Sequence, residues 1–149
     1  MKENAMRNNK LEMITGGALA AISGAALATY LYKSKHRTYK RKFDPSSVEE
    51  AEGRVVDILY SGRKNREDRG VELILETHDD LVSVHVGPAW YIDRQRYRFK
   101  PGDKIRVKGS RVHHNHNSVL IAETIFQGSM AARLRDAGGN PFWSAWSKI

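Results

Sequence analysis

The chain has 149 residues, no cysteine and a formal charge of +8. That length accommodates one domain plus an appendage, and the missing thiols exclude disulfide staples, thiolate metal sites, c-type haem attachment and cysteine nucleophiles. Residues 1–43 hold nine Lys and Arg against two Glu, a net +7, while residues 44–149 hold sixteen against fifteen acidic residues, a net +1, so most of the chain is too close to neutral for a generic nucleic-acid binder.

Residues 1–12 read as an N-terminal tail carrying Lys2, Arg7 and Lys10. Residues 13–32, MITGGALAAISGAALATYLY, are free of charge. Twenty helical residues span about 30 Å, the thickness of bilayer hydrocarbon, so this run is expected to be a single transmembrane helix. Its small residues recur every fourth position (Gly17, Ala21, Ala25 and Ala20, Gly24, Ala28), a spacing that lets two membrane helices self-associate. The rival is a cleaved signal peptide, for which Ala26-Leu27-Ala28 has a small-x-small form. Lys33, Lys35, Arg37, Lys40, Arg41 and Lys42 follow at once, as they do after a retained anchor, and would hold residues 13–42 against anionic lipid. Residues 33–52 then form a basic juxtamembrane segment and a linker, FDPSSVEEAE, with a short helical turn starting at Ser46 or Ser47.

From residue 53 the pattern turns to period two. RVVDILY (54–60) is a β-branched strand and SGRKNREDRG (61–70) a polar loop. Residues 71–76 and 81–86 alternate around His78-Asp79-Asp80 as a hairpin with one buried face. Pro88 suits the start of a short helix over 89–95, and Pro101-Gly102-Asp103 is a turn. KIRVKG (104–109) and residues 119–125 are two further strands around a loop at 113–117. Residues 131–136 and 141–146 flank AGGN as a last hairpin. Three strands, a short helix and two strands is the order of an OB-fold-like small β-barrel, an all-β domain over residues 53–149.

Within that domain VGPAWYIDRQRYRFKPGDKIRVKGS, VLIAETI and LRDAGGNPFWSAW resemble a bacterial pattern of small exported or membrane-anchored OB-like domains. The matching positions are Gly87, Pro88, Trp90, Tyr91, Pro101, Gly102, Asp103, Gly109, Ser110, Ile121, Ala122, Leu134, Arg135, Asp136, Pro141 and Trp143. The domain is similar to that of the magnetosome MamS/MamX family, and an anchor followed by one such domain looks more like the MamS type. The resemblance implies a part in magnetite crystal maturation. Haem-bearing members of the group use Cys-x-x-Cys-His; that motif is absent here, so no cofactor is expected.

Three groups of residues are candidate sites. Trp90 and Tyr91 either plug the barrel beside the short helix or offer a stacking platform. Arg94, Arg96, Arg98 and Lys100 either line a groove for an anionic ligand or form a solvated face, and helix through residue 95 would break their alternation. His113, His114 and His116 are imidazoles in one loop, without a carboxylate beside them, and no metal site is assigned to them. No nucleophile, paired-carboxylate or phosphate-loop motif appears. The expectation is a non-enzymatic, single-pass protein of a bacterial inner membrane or magnetosome membrane. It would act in magnetosome biogenesis through membrane or magnetosome protein partners. Its alternatives are a module for single-stranded nucleic acid or another anionic ligand, and a metal-handling domain using the loop histidines. The excess of downstream charge puts the domain in the cytoplasm, whereas exported relatives put it outside.

Overall fold

The computed structural model describes residues 24, 26–28, 42–61, 69–114 and 117–145, without the side chains of 114, 117 and 145. The chain divides into two compact units, Met1–Thr38 and Tyr39–Ile149. In the first, the four described residues are helical; the rest of the expected 13–32 span and the basic residues 33–41 lie outside the described residues. Among the described residues no helix is long and apolar enough to cross a membrane.

The second unit is an all-β barrel. Its strands are β1 (Val48–Ser61), β2 (Gly70–Glu76), β3 (Leu81–Pro88), β4 (Lys104–His114), β5 (Asn117–Gln127) and β6 (Met130–Arg133), with a single-turn helix α1 (Ala89–Ile92) between β3 and β4. The sheet runs β3-β2-β1-β4-β5-β6, and a parallel pairing of Ser83–His85 with Val119–Ile121 joins β3 to β5. Five strands therefore close on themselves, and closure removes most of the free edges of a small sheet. β6 extends β5 beyond the point where β3 leaves it.

Alternation explains which side chains enter the barrel. Val71, Leu73 and Leu75 of β2, Val82, Val84 and Val86 of β3, and Ile105 and Val107 of β4 meet Leu120, Ala122 and Ile125 of β5 in one core. Leu73, Leu75, Val84, Val107, Leu120 and Ile125 are fully buried, and each such side chain stabilises the fold by roughly 1.5–3 kcal/mol. β1 serves two neighbours: residues 48–54 pair with β4 and 54–61 with β2. Just inside the second stretch the register slips by one residue at Val56, and such a bulge bends a strand that must belong to both walls.

Several boundaries differ from expectation. β1 starts at Val48, five residues before the expected barrel start at 53, because Glu49–Glu52 find partners on β4. The segment read as linker is thus partly sheet. Ahead of it Pro45–Ser47 is a 3₁₀ turn capped by the Asp44 carboxylate. The Asp44 amide donates to Ser110 Oγ at 2.8 Å, and the Ser47 and Ser110 hydroxyls are 2.9 Å apart. The last hairpin shrinks to one bridge, Arg135 with Pro141, followed by a 3₁₀ turn Phe142–Ala145. A hairpin forms instead between β5 and β6.

Candidate functional site

The crossing from β3 to β4 carries most of the expected site residues. Pro88 has extended backbone at the helix N-cap, and helix α1 ends at Ile92, not at residue 95. Tyr91, Ile92 and Tyr97 are buried in the core, with Phe99 packed against it. These apolar anchors hold the backbone of the crossing in place. Trp90 is half-buried, edge-on to Tyr91 at 6.0 Å between ring centroids. Tyr91 is the plug of the pair, and its ring is closed to a ligand. Trp90 retains an outward part, with the Arg94 guanidinium 5.7 Å from its ring centroid.

Arg94, Arg96, Arg98 and Lys100 are all exposed, yet they are not one stripe. Arg94 and Arg96 lie in the turn after α1, while Arg98 and Lys100 follow it in irregular backbone. Arg98 folds back: its guanidinium donates to the carbonyls of Asp93 (2.9 Å), Tyr97 (2.9 Å) and Gln95. It fastens the turn by satisfying carbonyls at a helix end. Among the described residues Arg94, Arg96 and Lys100 make no ion pair.

The strand surface next door behaves differently. All four Lys and Arg of β4 are paired with carboxylates: Lys104 with Glu52 (3.3 Å), Arg106 with Glu50 (2.9 Å), Lys108 with Glu123 (3.4 Å) and Arg111 with Glu49. Cross-strand register places Glu49, Glu50 and Glu52 of β1 diagonally opposite their partners on β4, and Glu123 comes from β5 on the other side.

The histidine loop is shorter than expected. His113 and His114 continue β4, paired with Ser118 and Asn117, and residue 116 lies outside the described residues. His113, which is exposed, borders a shallow groove with Lys42, Phe43, Asp44, Pro45, Arg111 and Val112. Among the described residues no group of three His, Asp or Glu side chains could hold a metal ion.

A polar cluster that pattern reading did not single out lies on β2 and β3. Glu72, Ser83 and His85 occupy positions that alternate away from the barrel core, yet all three are less than a tenth exposed. Ser83 Oγ donates to Glu72 Oε1, and His85 Nε2 stands 3.7 Å from Glu72 Oε2. The carboxylate sits between hydroxyl and imidazole, whereas an activated serine needs the imidazole next to it. This wiring suits a structural hydrogen-bond cluster. The cue to it in sequence is that Glu72, Ser83 and His85 interrupt otherwise apolar runs on two facing strands. A second buried polar group is the Tyr97 hydroxyl, which has no hydrogen-bond partner among the described residues; burial, with Tyr91 adding to it, raises its pKa well above the usual phenol range.

The remaining motif residues build the barrel. Arg135 Nη1 donates to the carbonyls of Val86 (3.1 Å) and Ala122, on β3 and β5 just past their last pair. Its guanidinium closes the seam where those strands diverge, and Trp143 covers it at 4.7 Å. Trp143 presses on Gly87 so closely that a Cβ there would lie 2.9 Å from the indole. Asp136 accepts from the Gly138 and Asn140 amides (both 2.9 Å) and from the Asn140 side chain. The Asn140 side chain is the leading cause of a lowered Asp136 pKa, and backbone amides add to it. Gly102 N–H and Asp103 C=O bond to Val55 (2.7 and 2.8 Å), fixing the turn against the bent part of β1.

No curated protein matches the chain at a significant level. Residues 47–131, which run from the 3₁₀ turn before β1 into β6, match the profile of the MamS/MamX magnetosome protein family. That stretch is more than half of the sequence and contains the whole five-stranded barrel, and on it the chain is a member of the MamS/MamX magnetosome protein family.

Proposed function

We propose that this protein is a non-enzymatic, membrane-anchored accessory factor of the magnetosome, in which an OB-like barrel acts on magnetite crystal maturation through protein partners. The observation that carries the reading is the family match over the complete barrel. The strand circuit and the helix between β3 and β4 support the OB-like description. Two further features fit a binding role. The Ser83–Glu72–His85 cluster is buried and wired in the wrong order for a nucleophile, and the crossing presents rigidly backed, exposed cations. The anchor is the uncharged run 13–32, with the basic residues 33–42 against lipid head groups.

Deleting the gene in its native cell tests this. Smaller or misshapen magnetite crystals by electron microscopy, restored by the full-length chain but not by one lacking residues 1–38, are expected. Crystals of unchanged size and shape would overturn the reading.

A further inference from the structure

We infer that Arg94, Arg96 and Lys100, with the outward part of Trp90, form a docking surface for an acidic peptide segment of a partner protein. The inference rests on the partner-mediated reading above and names the surface and its chemistry. Four observations carry it. The three cations are exposed and make no ion pair among the described residues, whereas every Lys and Arg of the adjoining β4 is neutralised by a carboxylate. A flexible solvated loop would scatter such charges, but here Tyr91, Ile92 and Tyr97 are locked into the core. Arg98 gives its own donors to three backbone carbonyls and stiffens the turn between Arg96 and Lys100. Backbone held in advance lowers the ordering cost of binding. Trp90, half-buried beneath Arg94, is the aromatic type that anchors protein interfaces.

The same geometry disfavours single-stranded nucleic acid, which needs successive aromatic faces for its bases. Tyr91 and Tyr97 are buried, and half-buried Phe99 packs on Tyr97 and the core, so the crossing offers no run of exposed aromatic faces. An acidic peptide needs only paired charges and one apolar contact. Residues 44–149 net just +1, so the attraction is local and does not extend to polyanions at large.

Fluorescence anisotropy on the full-length chain in neutral-detergent micelles tests the inference, with fluorescein-labelled poly-glutamate and oligo-dT as probes. Poly-glutamate is expected to bind at low salt and to be released near 0.5 M salt, where the Debye length is only a few ångströms. The variant carrying Arg94→Ser, Arg96→Ser and Lys100→Ser should bind it about tenfold more weakly, the equivalent of roughly 1.4 kcal/mol. Lys42→Ser with Arg133→Ser removes exposed cations away from the crossing and should change affinity less than about threefold, since each exposed charge contributes little. Equal affinity in the triple variant and the parent would assign binding to residues 33–42 and overturn the inference. So would absence of binding at low salt, or a larger loss for oligo-dT than for the peptide. All the substituted side chains are exposed, and an unchanged circular dichroism spectrum checks the fold. The crystal phenotype and this affinity are separate readouts, so failure of one is distinguishable from failure of the other.

Discussion

The β4 wall and the β3–β4 crossing adjoin in the same barrel and carry the same number of Lys and Arg residues, four on β4 and four between Arg94 and Lys100. On β4 each cation faces a carboxylate across the sheet. On the crossing one cation is spent on backbone carbonyls and three are exposed without an ion pair among the described residues. Local composition is therefore a poor guide to available charge. Pairing requires a neighbour in register, which sheet geometry supplies every second residue and a turn after a one-turn helix does not.

The largest expected effect lies on the wall. Gly109 sits where β4 and β5 shift register, and a Cβ there would lie 2.9 Å from the Ile121 carbonyl carbon and closer to its oxygen. Backbone cannot swing aside as a side chain can. Gly109→Ala is expected to cost about 3 kcal/mol or more, measured by urea unfolding, and to break the β4 pairings that neutralise its cations. A variant within 1 kcal/mol of the parent, to order of magnitude, would mean that the strands can separate locally.

An effect of opposite sign is expected on the crossing. The Tyr97 hydroxyl is buried without a partner among the described residues, and leaving such a group unpaired costs about 1–3 kcal/mol. Tyr97→Phe keeps the ring that packs at 5.5 Å on Phe99 and should stabilise the protein by about 1–2 kcal/mol. A loss of stability would show that the hydroxyl holds a bridging water, to which the crossing owes part of its rigidity.

The smallest effects sharpen the comparison itself. Neutralising Glu50 and Arg106 together should cost no more than about 1 kcal/mol, with the cost fading as salt rises, because the pair is exposed. Arg96→Gln should change stability by less than about 0.5 kcal/mol at any salt. If Arg96→Gln were the more destabilising of the two, the crossing cation would have a structural partner and the docking surface would lose a member.

The barrel was legible because alternation is a local signal. The cores of β2 and β3 follow from Val71, Leu73, Leu75 and Val82, Val84, Val86, whose period of two survives in the sequence. The start of β1 was not legible. Glu49, Glu50 and Glu52 read as linker, and only their partners on β4, more than fifty residues away, make them strand. The end of α1 was equally hidden: Asp93 to Arg96 have no local reason to leave a helix, but Tyr97 must reach the core.

The motif residues divide in the same way. Pro101-Gly102-Asp103 announces a turn by its own chemistry. Arg135, by contrast, looks like any surface arginine until the strands are assembled. It then fills the gap where β3 and β5 part, beneath Trp143. Family membership and the small-barrel class were readable from residue type and order, because turns and alternation are encoded by near neighbours. Which cations are spent on the fold and which remain to meet a partner was decided by tertiary structure, because a charge is satisfied by whatever stands a few ångströms away in space: for β4 those neighbours come from β1 and β5, and for Arg98 from the folded turn itself.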